Sequence, residues 1–442
     1  MRWEYEKLPQ PQVPNSRLPA TAVFPSDKGD FGPRLGFALD LGGSQRKMVL
    51  RGGYGIYFGR IINSTISNAI TNTGSTAGQL QFSFRNNTGG APVYPNVLDV
   101  APPPNPNAVP NVVIFAPATK LPLVHEYDVT FEREIADNTA ISVAYLGSQG
   151  RRLPIFIDTN LAVTTSTITY TVSGGPLNGQ SFTLPLFTAR LNPQFGAITN
   201  IEDVVQSRYN AAVVGFNRRF THGLQVQVSY TYAHANDNGQ SSQTFSATNN
   251  VVNPYALSLE QGRSIFETRH RVAGSAVWQP AYFHNKGTLA HWLLDGFSFS
   301  PVFGASSGFP YSGFVSGNAT GVPASCIGCT GIIGAGGSAR PPFVPRDTFL
   351  SPNSFDVDLR VGKKFWYKER ATFELLTDFF NLFNRVNPTQ VSGALVNSTS
   401  SQYTISGRTL NYQPTFGNVI ATSSSLAGPG QRQIQIGAKL TW

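Results

Sequence analysis

The chain has 442 residues, of which 40% are hydrophobic, 12% are aromatic and only 13% are charged. Globular domains carry about 25% charged residues, so this composition argues against an ordinary cytosolic enzyme. The 43 glycines, 31 prolines and 31 phenylalanines favour a β-rich protein with many turns, and they argue against long helices and coiled coils. The net charge of +9 is spread along the chain without a basic run, which argues against a nucleic-acid partner.

The N-terminal residues predict neither a signal peptide nor a membrane-spanning helix. The first seven, MRWEYEK, lead into proline-rich sequence rather than into an apolar core. No stretch of the chain approaches the roughly 18 consecutive apolar residues of a membrane-spanning helix. We expect residues 1–32 to form a loop segment and residues 33–442 to form one β-rich portion. The chain is then either a soluble β protein or a membrane β-barrel whose targeting sequence lies outside it.

Apolar and polar residues alternate over eleven stretches of 8–13 residues. In the clearest stretch, valines and tyrosines from Val226 to Tyr232 alternate with glutamine, serine and threonine. A period of two predicts β-strands, and tilted membrane strands need about 9–11 residues, whereas globular strands have about 5–6. The predicted strands are residues 34–41, 47–59, 124–135, 139–147, 209–220, 224–234, 272–279, 297–304, 355–364, 371–383 and 433–442.

The connections between these strands alternate between short and long. Short ones lie at 42–46, 136–138, 221–223 and 367–370, with a medium one at 280–295. The long ones lie at 60–123, 148–207, 236–267, 305–352 and 384–430, and residues 168–187 are predicted to form a hairpin of their own. Such loops are rare in compact soluble domains, whereas outer-membrane barrels combine short periplasmic turns with long extracellular loops. We therefore predict an all-β, antiparallel transmembrane β-barrel, with a soluble β fold as the alternative.

Short motifs recur in a fixed order between residues 33 and 442. They are PRLGFA at 33–38, LRGGYGIY at 50–57, YNA at 209–211, RRFTHGL at 218–224, HRV at 270–272, FNLFN at 380–384 and RQIQIGAKLTW at 432–442. Together they resemble TonB-dependent outer-membrane receptors of the Oar-like type. The resemblance implies a 22-stranded barrel, an N-terminal plug and energy supplied through the TonB complex. Since no plug is recognisable, the eleven strands would be the C-terminal half, either because the gene product is truncated or because another chain supplies the rest.

The same resemblance implies active uptake of a scarce solute across the outer membrane of a Gram-negative-type cell. The expected partners are outer-membrane lipid, the TonB complex, the outer-membrane assembly machinery and a small solute, which can be a carbohydrate, a peptide or an iron chelate. The last strand would carry an assembly signal in Ile436, Ala438, Leu440 and Trp442, or would simply be an edge strand with an interfacial tryptophan. An adhesion or structural barrel without transport and a soluble secreted β protein are the alternative functions.

No residues are predicted to be catalytic, to bind a cofactor or to bind a metal. Residues 304–308, GASSG, fit a nucleophile-elbow pattern, but the following FPYSG does not start a helix, which that motif needs. Cys326 and Cys329 form a lone C-x-x-C, for which a local loop disulfide is the favoured interpretation and a metal or redox site the alternative. The six histidines show no metal-binding spacing.

Two further sets of side chains have competing interpretations. Four carboxylates share one face of a strand and predict a wet lumen lining rather than an acid–base pair; they are Glu126, Asp128, Glu132 and Glu134. Tyrosines of the long loops could stack on sugars or hold peptide, or they could anchor the loops; they are Tyr94, Tyr170, Tyr255, Tyr311, Tyr403 and Tyr412. Glycines at 53, 55 and 59 are expected to admit close packing of neighbouring side chains.

Overall fold

The computed structural model describes residues 1–43, 47–75, 77–78, 95–96, 109–239, 251–281, 289–336, 340–367, 371–392, 401–423 and 431–442. Its main feature is an antiparallel sheet in which eleven strands pair in chain order, each with the next. These strands are β1 (Arg34–Asp40), β2 (Met48–Phe58), β3 (Leu123–Ala136), β4 (Thr139–Asp158), β5 (Ile198–Thr221), β6 (Leu224–Asp237), β7 (His270–Trp278), β8 (Phe297–Ser306), β9 (Ser354–Tyr367), β10 (Ala371–Phe380) and β11 (Gln433–Thr441). In the described part of the chain, the path of pairing ends at β1 on one side and at β11 on the other.

All eleven predicted strands are confirmed, but several of them are longer than predicted. β4 continues to Asp158 instead of ending at residue 147, β5 begins at Ile198 instead of at residue 209, and β6 continues to Asp237. In the added part of β4, Ile155, Phe156 and Ile157 are all buried. Strands covered on both faces lose the alternation of apolar and polar residues, so these extensions carried no period-two signal. By contrast, the strand predicted at 371–383 is shorter than predicted. It ends at Phe380, before Asn381, whose φ is 48°.

The register separates an apolar face of the sheet from a polar one. One row of residues, each opposite the next, crosses strands β1–β7. It consists of Phe37, Gly52, Val129, Tyr145, Ala212, Tyr232 and His270. Apolar side chains of this face remain exposed, with Leu35 at 76% and Ile436 at 71%. A soluble protein would not leave a continuous surface of this kind in water, whereas a barrel turns it to hydrocarbon. The alternate side chains then face the lumen.

Short and long connections lie at opposite ends of the sheet. At the short end, β3 meets β4 through Asp137 and Asn138, and β5 meets β6 through His222 and Gly223. The φ angles of Asn138, His222 and Gly223 are 58°, 49° and 74°, which are the positive values that tight two-residue hairpins need. Long connections occupy the opposite end, as in outer-membrane barrels, where this end is extracellular.

The loops contain secondary structure of their own, which the sequence predicted only for one hairpin. That hairpin pairs Thr167–Ser173 with Ser181–Pro185. The other short strands are Arg2–Glu4, Asp30–Gly32, Val112–Phe115, Gly262–Arg263, Pro310–Tyr311, Val315–Ser316, Phe349–Leu350, Pro388–Val391, Tyr403–Ser406, Thr409–Tyr412 and Val419–Thr422. The helices are Asn63–Thr71 and Leu289–Leu294, with 3-10 turns at Pro19–Ala22 and Leu257–Glu260.

Four of the long loops fold together around one hydrophobic core, which we call the cap. Its buried residues are Leu161, Ile168, Tyr170, Val172, Leu184, Leu186, Phe187, Val252, Val315, Ala319, Cys326, Cys329, Ile332, Ile333, Ala335, Tyr403 and Leu410. A five-stranded sheet runs through the cap, in which strands from the β4–β5, β8–β9 and β10–β11 loops pair with one another. These loops are therefore a packed body rather than independent extensions of the barrel.

The N-terminal segment at 1–32 packs on the long-loop end of the strands. Leu8 shares a buried cluster with Ile66, Phe115 and Phe156, and Phe24 packs against the same cluster. Arg2–Glu4 pairs with Asp30–Gly32, which closes the segment on itself. Among the described residues, no helix is both long and apolar enough to cross a membrane.

Candidate functional site

Ion pairs cross the lumen face of the sheet between neighbouring strands. Arg360 of β9 and Asp378 of β10 form two hydrogen bonds of 2.6 and 3.0 Å. Arg51 of β2 lies 3.4 Å from Glu132 of β3, and Lys364 lies 3.8 Å from Glu374. The arginine and lysine side chains of these pairs are between 41% and 58% exposed, which fits a water-filled lumen. This face can hold a polar or charged solute by exchanging hydrogen bonds.

A polar pocket of about 340 Å³ opens at the long-loop end of β7, β8 and β9. Its lining includes Arg271, Asp356 and Asn387 and the hydroxyls of Ser306 and Ser354, which lie 2.6 Å apart. A guanidinium, a carboxylate and two hydroxyls in one pocket offer both donors and acceptors, whereas the Asn387 amide is hydrogen-bonded to the Phe355 backbone. We call this group the lumen-mouth pocket and take it as a candidate solute site.

Buried ion pairs join the cap to the top of β6. Arg346 pairs with Asp237, lies 3.3 Å from Asp347 and donates a hydrogen bond to the Glu260 carbonyl. Arg340, which is 2% exposed, lies 3.5 Å from the Glu260 carboxylate. Burial raises the pKa of Asp347 above its usual value. Removing one partner of such a network leaves an uncompensated buried charge, so the network fixes how the loops meet.

A second buried carboxylate organises the junction between the loop after β6 and the start of β7. Glu267 is fully buried and contacts Arg263 at 2.7 Å, Arg269 at 2.5 Å and His234 at 3.2 Å. Burial alone would raise the pKa of Glu267, but its hydrogen bonds with Arg263, His234 and Arg269 outweigh that effect and hold the pKa below its usual value. Glu267 therefore holds two guanidinium groups in place at the edge of the barrel.

The structure places the four predicted lumen carboxylates on one face of β3, as expected. Glu126 stands opposite Gly55, Asp128 opposite Gly53 and Glu132 opposite Val49. The backbone beside them is closely packed, because a Cβ at Gly55 would lie 2.7 Å from the ring of Tyr57. The Arg34 guanidinium also lies 4.2 Å from that ring. The expectation of close side-chain packing at Gly55 therefore agrees with the structure.

The loop tyrosines are mostly part of the cap core, so their interpretation as a stacking surface for sugars or peptides is wrong for the buried ones. Tyr170 and Tyr403 are 0% and 1% exposed, Tyr311 is 8% exposed, and Tyr412 packs on Tyr403 with ring centroids 5.7 Å apart. Tyr255 is 51% exposed, and Tyr94 lies outside the described residues. Burial raises the pKa of Tyr170 to about 12, and its hydroxyl donates a 2.8 Å hydrogen bond to the Ile332 carbonyl.

The remaining predicted positions are also described. Cys326 and Cys329 are joined by a disulfide inside the cap. Ser306 ends β8, and Pro310–Tyr311 that follows is a short strand rather than a helix. Ile436, Leu440 and Trp442 are exposed at 71%, 58% and 88% on or beyond the edge strand β11, where Ala438 is exposed as well. No three His, Cys, Asp or Glu side chains cluster as a metal site among the described residues.

Sequence reasoning missed a set of polar contacts on the lipid-facing side. Tyr54 is hydrogen-bonded to His125 at 2.7 Å, Tyr145 to Asn210 at 2.7 Å and Tyr230 to His270 at 2.8 Å. A tyrosine with its ring in the apolar layer and its hydroxyl paired marks a membrane interface. The signal was present in the sequence, since each tyrosine lies within a strand on the side that leads to a long loop.

Solved structures similar to this chain are outer-membrane receptors and transporters, and the chain spans less than two fifths of their length. It is similar to the pyoverdine outer membrane receptor FpvA from Pseudomonas aeruginosa PAO1, with 12% identity over 96% of this chain and 38% of that chain and a TM-score of 0.43. The outer membrane transporter YddB from Escherichia coli gives 9% identity, 88% and 38% coverage and a TM-score of 0.43. The siderophore receptor PiuA from Acinetobacter baumannii gives 8% identity, 92% and 35% coverage and a TM-score of 0.42.

A comparison of the sequence with family models identifies the family to which the chain belongs. No curated protein matches the chain. A family model described as an outer membrane beta barrel domain matches residues 6–435, which is almost the whole chain. The eleven-stranded antiparallel sheet, its apolar outer face and its long loops at one end agree with that description. The chain therefore belongs to the outer membrane β-barrel domain family and is located in the outer membrane.

Proposed function

We propose that the chain is the barrel portion of a TonB-dependent receptor of the Oar-like type, which takes up a scarce solute actively. The observation that carries this proposal is the cap, because four long loops with a common hydrophobic core form a fixed body at the extracellular end. A barrel that only scaffolds the membrane has no need to organise its loops around a core and buried ion pairs. A body of this kind is suited to solute capture.

The lumen face of the sheet supports the part of the proposal that concerns solute uptake. The lumen-mouth pocket lies where a solute would pass from the loops into the barrel, and the ion pairs of β9 and β10 continue along the same face. We propose that the eleven strands form part of a larger barrel, whose remaining strands would pair with the outer edges of β1 and β11, where the pairing ends in the described part of the chain. Unpaired backbone groups are costly in lipid, which favours such pairing. A plug and the TonB complex would then supply the gate and the energy.

Uptake in cells tests the function. Cells with and without the gene, each in a TonB-positive and a TonB-negative background, are given radiolabelled ferric citrate, a labelled maltooligosaccharide and labelled peptides from a casein digest. We expect uptake of one probe to require both the gene and TonB. Uptake that needs the gene but not TonB would contradict the TonB-dependent part of the proposal.

The alternative is an adhesion or structural barrel without transport. It predicts that deletion of the gene changes attachment of cells to surfaces or outer-membrane integrity equally in both TonB backgrounds, with no change for any of the three probes. The substitutions Arg271→Gln and Asp356→Asn at the lumen-mouth pocket separate the two functions. Transport would fall in these variants, whereas adhesion through the loops would stay at the wild-type level.

A further inference from the structure

The lipid-facing side of the sheet ends, towards the long loops, in one row of polar and basic side chains. Gln149 of β4 stands opposite His125 on one side and opposite Arg208 on the other. Arg208 in turn stands opposite Asn236 of β6, and Asn236 stands opposite Arg263. Directly opposite residues share a face and lie about 5 Å apart, so these five side chains form a continuous row across neighbouring strands.

The row lies just beyond the tyrosines that mark the membrane interface. Tyr127, which accepts a 3.3 Å hydrogen bond from Gln149, is two residues from His125 along β3. Two residues span about 7 Å along a strand, and about 5 Å along the axis of a barrel whose strands tilt by about 40°. The row is therefore at the depth of the headgroups, directly above the aromatic layer.

Positive charge dominates at this level. Arg151 lies two residues beyond Gln149 on the same face, and both Arg151 and Arg208 are exposed. Within the described ranges, neither of them forms an ion pair with a carboxylate. Arg263 and Arg269 share the single carboxylate of Glu267. We call Arg151, Arg208, Arg263 and Arg269 the rim arginines, and only the last two of them are paired with the Glu267 carboxylate.

Two of the rim arginines are fixed before any ligand arrives. Glu267 holds Arg263 and Arg269 by hydrogen bonds of 2.7 and 2.5 Å, and the Arg269 guanidinium also lies 5.9 Å from the ring of Tyr232. A guanidinium fixed in this way loses little side-chain entropy on binding. The amides of Gln149 and Asn236 between the arginines add donors and acceptors that suit a sugar or phosphate oxygen.

We propose that the rim arginines bind the phosphate groups of a phosphorylated glycolipid in the outer leaflet. Guanidinium groups bind phosphate with paired, charge-assisted hydrogen bonds, and their position on the lipid-facing side gives a membrane lipid access that the lumen would not. The site is separate from the lumen-mouth pocket, so the proposal stands whether or not the barrel transports a solute.

Native mass spectrometry with lipid A as the probe tests this proposal. The full chain is extracted from outer membranes in a non-ionic detergent, and lipid A with both phosphates is added at increasing concentration. The test variant is Arg151→Gln with Arg208→Gln, which spares the Glu267 cluster. A basic side chain near a membrane surface strengthens binding of an anionic lipid about fivefold, so the pair should weaken lipid A binding about 30-fold.

The matched control changes two arginines of the same face at the opposite end of the barrel. Arg133 stands opposite Ile141 and Arg218 stands opposite Thr139, both near the short turns. Arg133→Gln with Arg218→Gln should bind lipid A within twofold of wild type. The folded fraction of each protein is measured by its electrophoretic mobility before and after boiling, so that a folding defect is not mistaken for a binding defect.

Two further probes separate a lipid site from a simple anion site. Lipid A without phosphates should bind the wild-type chain at least tenfold more weakly than lipid A with both phosphates. Inorganic phosphate in tenfold excess over lipid A should not displace it. Equal binding of the two lipids, displacement by inorganic phosphate, or wild-type affinity of the Arg151→Gln, Arg208→Gln variant would each overturn the proposal.

Discussion

Glycines on the lipid-facing side make room for aromatic rings of the neighbouring strand. A Cβ at Gly147 would overlap the ring of Tyr127, and a Cβ at Gly274 would lie 2.5 Å from the ring of Phe303. The rings in turn cover backbone that glycine leaves bare, which is how aromatic residues compensate for glycine in sheets. These glycines are therefore needed for close packing rather than for backbone freedom, since both lie within regular strands.

We predict that Gly147→Ala destabilises the barrel by about 1–3 kcal/mol, because the added methyl group overpacks the Tyr127 ring. Urea unfolding in lipid vesicles, followed by tryptophan fluorescence, measures the change. Gly437→Ala is the control, since a Cβ at Gly437 meets no atom within 4 Å. Measured against Tyr127→Ala alone, the further change Gly147→Ala should cost little, and a penalty of the same size in that background would contradict the steric cause.

Glu267 makes the stability of the folded chain depend on pH. Its pKa in the folded chain lies below the usual value of 4.5, so its contribution to stability is complete above about pH 4.5 and disappears as the pH falls through the lower, folded value. At pH 7, we expect Glu267→Gln to cost about 1.5–3 kcal/mol, the range for hydrogen bonds to charged groups. Unfolding midpoints of both proteins at pH 7, 5 and 3 test this, and a wild-type advantage that is as large at pH 3 as at pH 7 would contradict it.

At the scale of the element, the two faces of one strand experience different solvents. Val228 of β6 stands opposite Phe216 on the lipid-facing side, whereas Gln227 stands opposite Asn217 on the lumen side. Val228→Arg should cost about 2–4 kcal/mol, the range for arginine on the lipid face near the bilayer midplane. Gln227→Arg, one residue away, should change stability by less than about 0.5 kcal/mol. Urea unfolding in vesicles measures both variants, and equal costs would mean that the faces are assigned wrongly.

This difference between faces explains which elements could be predicted from the sequence. Inside the membrane, every second side chain meets hydrocarbon and its neighbours meet water, so a period of two is imposed on all eleven strands. Beyond the membrane, the cap and residues of the N-terminal segment cover both sides, and Ile155–Phe156–Ile157 carries no alternation. The parallel pairing of Val315–Ser316 with Tyr403–Ser406 joins loops almost 90 residues apart and leaves no local signal.

The candidate site, like the fold, could be predicted from the sequence only in part. The carboxylates of β3 were placed correctly because strand parity alone decides which face they share. The lumen-mouth pocket was not predicted, because Arg271, Asp356 and Asn387 come from three distant segments. The loop tyrosines were partly misread because tyrosine serves equally as a stacking surface and as a core residue with a paired hydroxyl. Only the tertiary structure separates those two roles, as the contact between Tyr170 and Ile332 illustrates.

At the scale of the whole molecule, the cap and the barrel are stabilised by different means. The barrel depends on strand pairing and on lipid around its apolar face, whereas the cap depends on a hydrophobic core and on buried ion pairs in water. Each loop in the cap contributes only part of that core and cannot bury its apolar residues alone. The cap should therefore unfold as one cooperative unit while the strands below it stay paired.

Tyr170→Ala tests this independence at the centre of the cap. Tyr170 is fully buried, and its hydroxyl ties the β4–β5 loop to Ile332 in the β8–β9 loop. Truncating a buried aromatic residue costs about 3–5 kcal/mol, so we expect proteases to cut several loops of intact cells together, while the barrel keeps its resistance to unfolding by detergent and heat. Phe266→Ala, at a residue that is 74% exposed, is the control and should leave the loops protected. Cleavage confined to the β4–β5 loop would show that the loops fold separately, and loss of the barrel itself would show that cap and barrel form one unit.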